Sequence, residues 1–223
     1  MRAVIHGGKR PFFAAKDITC YILHGRHGDL LIDTGLPHTF RAMKKWLSGY
    51  DIRYVLLTHA HADHDWNAAK LQKAGAKILL SRFDYSLRQN FLSQRQQATM
   101  PQYRLRTAMQ CIGGALLRSP RYQPDLLLRS ADDLKKLGFD AELVNLPGHT
   151  LGSLGVLQGN VLYCGDAFTA IWGKPDISPN AYSPALMRQS LRKILRLKPE
   201  WLACGHGLPV KMADAEPVIR EYC

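Results

Sequence analysis

Several features that would place a chain outside the reducing cell interior are missing from this one. Its five cysteines are odd in number and scattered, with no Cys-x-x-Cys spacing, a usage that suits a reduced cytoplasm rather than a disulfide framework. The opening residues Met1-Arg2-Ala3-Val4-Ile5-His6-Gly7-Gly8 lack the apolar core of a signal peptide. No apolar stretch approaches the ~20 residues that cross a bilayer. The expectation is a cytoplasmic protein without a membrane partner. Acidic residues are also scarce, 18 against 30 Lys and Arg, leaving a formal charge of +12. At 223 residues the chain suffices for one large α/β domain over 1–223 with a sizeable core, and it shows no internal repeat.

What is present is a concentration of histidine and aspartate beside glycine. Residues 58–64 read Thr-His-Ala-His-Ala-Asp-His, and Pro147-Gly148-His149-Thr150, Gly165-Asp166 and Gly205-His206-Gly207 follow. The first cluster comes after Tyr54-Val55-Leu56-Leu57, a run of buried-strand type. Helical character then continues through Ala68, Leu71, Gln72 and Ala74 to a stop at Gly75. A site where a strand ends and a helix begins is common in α/β proteins. Five imidazoles and two carboxylates suit two divalent ions of zinc, with iron or manganese as alternatives to it, rather than calcium or magnesium. Asp33, just after the apolar run Asp29-Leu30-Leu31-Ile32, is placed to orient a ligand histidine from behind. His6, His24, His27 and His38 stand alone and are read as surface or core residues.

With these motifs together, the chain resembles the metallo-β-lactamase-fold hydrolase superfamily, from the strands before Asp33 to Gly207. The resemblance implies a four-layer αββα sandwich with metals at one edge. It also implies that His59, His61 and His149 hold one ion and Asp63, His64 and His206 the other. Asp166 would bridge them, with Asp63 and Asp166 both in the catalytic centre and a hydroxide between the ions attacking a carbonyl or phosphoryl centre. One departure is Trp66, near which the family commonly carries glycine; it is read as a packing residue. Cys164 and Cys204, at strand ends beside two of the motifs, are read as core.

The coarse pattern predicts strands near 2–6, 18–24, 28–33, 53–58, 76–81, 141–146, 152–157, 160–164 and 200–204. Helices are expected near 37–48, 66–74, 83–98, 103–118 and 184–196, the last with Ser183 as N-cap and Pro184 in its first turn. Residues 82–123 form a helical insertion holding seven arginines and one acid, Asp84. Within it Leu105, Met109, Ile112 and Leu116 make an apolar stripe. Two readings of the insertion stand: a layer packed on the sandwich, or a lid selecting an acidic or amphipathic substrate.

The branches of the superfamily narrow the activity. True β-lactamases generally lack the aspartate equivalent to Asp166, and flavodiiron proteins replace the histidine at position 61. Glyoxalase II adds a C-terminal helical domain, whereas 17 residues follow His206 here; persulfide dioxygenases, with a single iron, stay open on residues alone. Nucleases of the fold carry an exosite arm or an extra domain, and the insertion offers few aromatics for stacking (Phe83, Tyr85, Phe91, Tyr103 and Tyr122). The expected function is therefore hydrolysis of a small-molecule ester, thioester or lactone, anionic substrates included. The alternatives are a phosphodiesterase or nuclease of the same fold, and a non-catalytic metal-binding interaction protein.

Overall fold

A computed structural model describes residues 12–14, 18–116, 118–129, 131 and 133–223. The strands are β1 (Phe12–Ala14), β2 (Thr19–Gly25), β3 (Gly28–Ile32), β4 (Ile52–Leu56), β5 (Lys77–Ser81), β6 (Gln97–Ala98), β7 (Leu126–Leu128), β8 (Glu142–Asn145), β9 (Leu154–Gln158), β10 (Val161–Gly165), β11 (Asn180–Ala181), β12 (Trp201–Cys204) and β13 (Val210–Lys211). The helices are α1 (Phe40–Leu47), α2 (Ala62–Asp65), α3 (Ala68–Lys73), α4 (Tyr85–Gln89), α5 (Arg104–Leu116), α6 (Asp133–Lys136), α7 (Pro184–Leu197) and α8 (Met212–Tyr222).

One sheet has the order β1-β2-β3-β4-β5-β7 and the other β13-β12-β10-β9-β8. The pairs β3–β4, β4–β5, β5–β7 and β10–β12 are parallel. Side chains alternate across each strand, and both faces here are apolar, so the strands read as nearly continuous hydrophobic runs. Cys20, Ile22, Leu31, Val55, Leu57, Ile78 and Leu80 face outward onto Met43 and Leu47 of α1 and Leu71 of α3. Tyr21, Leu23, Leu30, Ile32, Leu56 and Leu79 face inward, meeting Leu143, Val156, Val161 and Ala203 of the second sheet. That sheet's outer face, with Leu162, Cys164, Leu202 and Cys204, packs on Met187, Leu191 and Ile194 of α7 and Ala215 and Ile219 of α8. Three apolar seams separate four layers, the αββα order expected.

Several elements depart from the sequence reading. The helix expected over 83–98 is a short α4, then a 3-10 turn Phe91–Gln94, then β6. The break is at Asn90, whose backbone is extended (φ −145, ψ 103) and whose side chain accepts from Leu92 N, the local competition that makes Asn a poor mid-helix residue. The helix expected over 66–74 is α3, which begins at Ala68 after Asn67, whose Nδ2 donates to the carbonyls of Thr34, Gly35 and Leu36; the separate turn α2 before it was not expected. α8 was not expected at all, because Pro217 lies inside it and interrupts the helical pattern. The strand expected at 2–6 lies outside the described residues.

Candidate metal centre

Parallel strands leave their C-terminal ends on one side of a sheet, and the functional side chains occupy those ends. Asp33 follows β3, Thr58 and His59 follow β4, Asp166 follows β10, and His206 follows β12. The two sheets are stitched there by Thr19 N to Gly205 O and Leu154 N to Thr58 O, each at 2.8 Å, while Gly205 N to Gly165 O at 2.9 Å extends the β10–β12 pairing. After β4 the chain bends at Thr58 and His59, is extended at His61 (φ −90, ψ 150), and then enters α2. That change of conformation sends His59 and His61 from a loop, and Asp63 and His64 from a helical turn, toward one point.

Asp33 adopts φ +61, a left-handed conformation that aspartate tolerates better than most residues. Its Oδ1 accepts from Thr58 N at 2.8 Å, and its Oδ2 from Thr58 Oγ1 and His64 Nδ1 at 2.9 Å each. A carboxylate can only accept, so His64 carries its proton on Nδ1 and turns Nε2 to the centre. Thr58 Oγ1, having donated to Asp33, accepts from His59 Nδ1 at 3.1 Å, which leaves His59 Nε2 as a lone pair. His149 Nδ1 donates to Asn180 O at 2.9 Å.

The structure brings together all seven residues singled out in the sequence. Three sets have ligand atoms within 4.8 Å of one another: His59–His61–His149, His59–His64–Asp166 and Asp63–His64–His206. Asp166 reaches both ends, 3.6 Å from His149 Nε2, 3.4 Å from His64 Nε2 and 3.2 Å from His206 Nε2. His206 Nε2 is also 3.4 Å from Asp63 Oδ2. Donors about 2.0–2.2 Å from a tetrahedral ion are spaced roughly 3.3–3.6 Å apart, and the separations here scatter around that range, from 3.0 Å for His149 Nε2 to His61 Nδ1 to 3.9 Å for His64 Nε2 to Asp63 Oδ2. His59 Nε2, His64 Nε2 and Asp166 Oδ1 are buried without a hydrogen bond, a costly state for polar atoms that the 3.4 Å approach of His64 Nε2 to Asp166 Oδ1 relieves only in part. The donor set fits a pair of divalent ions. His24 instead bonds Asp29 at 2.7 Å and stacks on Tyr50, and His27 and His38 are exposed, as expected of residues outside the centre.

Electrostatics divide the cluster. Burial and the neighbouring imidazoles push His59 down, burial and then His149 bring His61 to about 3, and burial lowers His149. These three rings are neutral donors. Burial would raise the carboxylates, yet His206 and His64 hold Asp166 well below the usual range, and His64 and His206 do the same for Asp63. In return, against burial, Asp166 and Asp63 raise His206 to about 10, and Asp166, Asp33 and Asp63 raise His64. Protons on His64 and His206 thus balance the two carboxylates in the absence of a metal.

The sequence matches the family model described as the metallo-beta-lactamase superfamily over residues 15–206. The chain belongs to this superfamily. It is similar to YobT of Bacillus subtilis (strain 168), 27% identical over 88% of this chain and 85% of that one. Among solved structures it is similar to TTHA1623 in a di-iron-bound form, with TM-score 0.66, 23% identity and coverage of 93% of this chain and 96% of that one. TTHA1429 from Thermus thermophilus gives TM-score 0.68 at 22% identity, covering 92% of this chain and 72% of that one. At these identities the structural likeness shows the fold alone.

Beside this superfamily centre lies a cavity of about 340 Å³, bordered by His61, Asp63, His149, Asp166 and His206. Its remaining wall includes Leu36, Ile171, Ser178 and Pro179, and from α5 come Arg106, Gln110 and Gly113. Those three positions recur at helical spacing, so α5 presents its polar side to the cavity. In the adjacent stripe Leu105, Met109 and Ile112 are 76, 66 and 64% exposed, so these three side chains do not pack on the sandwich; the side chain of Leu116 lies outside the described residues. Trp66 is half-buried and outside the cavity lining. Cys164 and Cys204 are buried in the outer core, their sulfurs 3.9 Å apart. No helix among the described residues is long and apolar enough to cross a membrane.

Sequence reasoning overlooked Asp84, counted only as the insertion's lone acid. It is fully buried and joins two ligand loops, accepting from Ala60 N at 3.2 Å, Thr150 Oγ1 at 2.8 Å and Gly152 N at 2.8 Å. Gln96 likewise ties Asn180 to the His149 carbonyl, each at 3.0 Å. A single acid inside an arginine-rich stretch was the one available signal for Asp84.

Proposed function

We propose that this protein is a binuclear metal-dependent hydrolase of a small ester, thioester or lactone carrying an anionic group. His59, His61 and His149 would hold one ion, Asp63, His64 and His206 the other, with Asp166 shared. The observation that carries this reading is the convergence of the buried atoms His59 Nε2, His64 Nε2 and Asp166 Oδ1, none of them hydrogen-bonded, behind a cavity bordered by His61, Asp63, His149, Asp166 and His206. Two divalent ions there would supply Lewis acidity and a water of lowered pKa. The donor types suit zinc, iron or manganese, and the di-iron form of TTHA1623 supports iron as an alternative to zinc.

The chain's own residues set the substrate. Arg106 is the single Lys or Arg bordering the cavity and would receive one carboxylate or similar anion, while Leu36, Ile171 and Pro179 would hold an acyl portion. Outside the ligand set the lining offers no histidine to protonate a poor leaving group, which favours thioesters and activated lactones over phosphodiesters. In this reading α5 acts as a lid.

Parallel assays of metal-loaded protein on an acyl thioester, a lactone and bis-(p-nitrophenyl) phosphate test the assignment. The carbonyl substrates should show the higher kcat/KM, and His149→Ala should abolish turnover. Arg106→Gln should raise KM for an anionic ester about tenfold, the loss of one charge-assisted contact, without changing metal content. A clear win for the phosphate diester, lost in His149→Ala, would replace the reading with phosphodiester hydrolysis.

A further inference from the structure

A second cavity, of about 470 Å³, opens beside α4 and the chain that follows α5. Its lining includes Arg88, Arg118 and Arg121, with Gln89, Ser119 and Gln123, and no carboxylate. Three guanidinium groups around one space repel one another, so an anion is the complement this cavity lacks. Arg88 lies over the Tyr122 ring, 4.2 Å from its centroid, and its Nε is buried with no acceptor. A buried donor left in that state is a standing cost that a ligand oxygen would remove. Asp65 takes the Tyr122 hydroxyl at 2.8 Å and offers Arg88 one negative charge, but it does not border the cavity, which leaves Arg118 and Arg121 without a carboxylate in the lining.

We propose that this cavity binds a small phosphorylated ligand through a diphosphate or phosphomonoester group. Guanidinium forks match phosphate oxygens in pairs, and two to three negative charges balance three arginines where one carboxylate would leave two unmatched. A single-stranded nucleic acid needs an extended groove with stacking rings; Tyr85 is the one aromatic in this lining, and Tyr122 is buried beneath Arg88. The position gives the site a consequence. Ala60 and Ala62, on either side of His61, form part of its wall, and Ala62 also borders the metal-side cavity. A phosphate held here sits behind the loop that carries His59 and His61.

Calorimetric titration of metal-loaded protein with inorganic pyrophosphate, beside the double variant Arg118→Gln/Arg121→Gln, tests the proposal. Both arginines are exposed, so the variant should fold with unchanged Tm and metal content. Pyrophosphate taken up by the metals is common to both proteins, so the difference belongs to the arginine cavity. We expect affinity to fall about tenfold per arginine, the worth of a charge-assisted hydrogen bond. Equal affinities would overturn the proposal. So would tighter binding of single-stranded RNA than of pyrophosphate, weakened in the same variant, which would make the cavity part of a polymer track. The outcome is independent of whether the metal centre hydrolyses esters.

Discussion

Asp33 sits 26 residues before His59 in sequence, yet it shapes two donors of the metal centre, His64 directly and His59 through Thr58. Truncation to alanine would free His64 to rotate and leave Thr58 N without its acceptor. We expect Asp33→Ala to weaken binding of one ion by about 10- to 100-fold, the range seen when the partner of a ligand histidine is removed; competitive titration against a chromogenic chelator measures it. Protonation gives a second expectation at this scale. An ion entering among His59, His61 and His149 meets neutral rings, whereas one entering beside Asp63 must displace protons from His64 and from His206, raised to about 10. Protons compete with metal, so affinity for the second ion should rise as pH increases from 6 toward 10, while the first, with His61 near 3, changes little there. Metal-to-protein ratios nearer one at pH 6 and two at pH 9 are the expected result, and a ratio that does not move with pH would remove this account. The seven donors were legible in the sequence because each motif is short and local. Asp84 and Gln96 were not, since what they do depends on loops 66 and 53 residues away.

Loop backbones decide whether those side chains can meet. A Cβ on Gly205 would lie 2.4 Å from Asp166 Oδ1 and 2.7 Å from His64 Cε1, inside the space the donors share. Gly207, at φ +92, would put one 1.9 Å from the Ala170 carbonyl oxygen. Gly205→Ala should therefore lower metal stoichiometry more than it lowers Tm, because the clash falls on movable side chains of the centre. Elemental analysis beside thermal melts separates the two, and full occupancy in the variant would show that the donors have slack. The elements read correctly from sequence are those with a strong local signature, such as α7, where Ser183 Oγ accepts from Leu186 N and Pro184 opens the first turn. Two of those misread turn on a single residue: Asn90 ends one helix early, and Pro217 lies inside another.

Across the whole molecule, the sandwich was recognisable because strands buried on both faces leave unbroken apolar runs, as in Asp29-Leu30-Leu31-Ile32 and Tyr54-Val55-Leu56-Leu57. The order of strands and the pairing of sheet edges rest on contacts far apart in sequence and came only with the structure. The arginine-rich stretch shows the same limit. Its charge was plain, but not that Arg106 would face one cavity while Arg88, Arg118 and Arg121 face another.

α5 holds Thr107 buried, with its hydroxyl on the Pro179 carbonyl at 3.2 Å, and turns Leu105, Met109 and Ile112 to solvent. A helix that buries so little of its own oil-like surface has little to lose by opening, since burial is the main term holding helices in place. Its amide protons should therefore trade with deuterium through local excursions far cheaper than global unfolding. Those of β3 and β4, sealed between two apolar seams, should wait for the whole domain to open. Mass spectrometry of peptides from 104–116 and from 28–56 would read both clocks, and equal protection would mean that α5 is anchored by something other than its own faces.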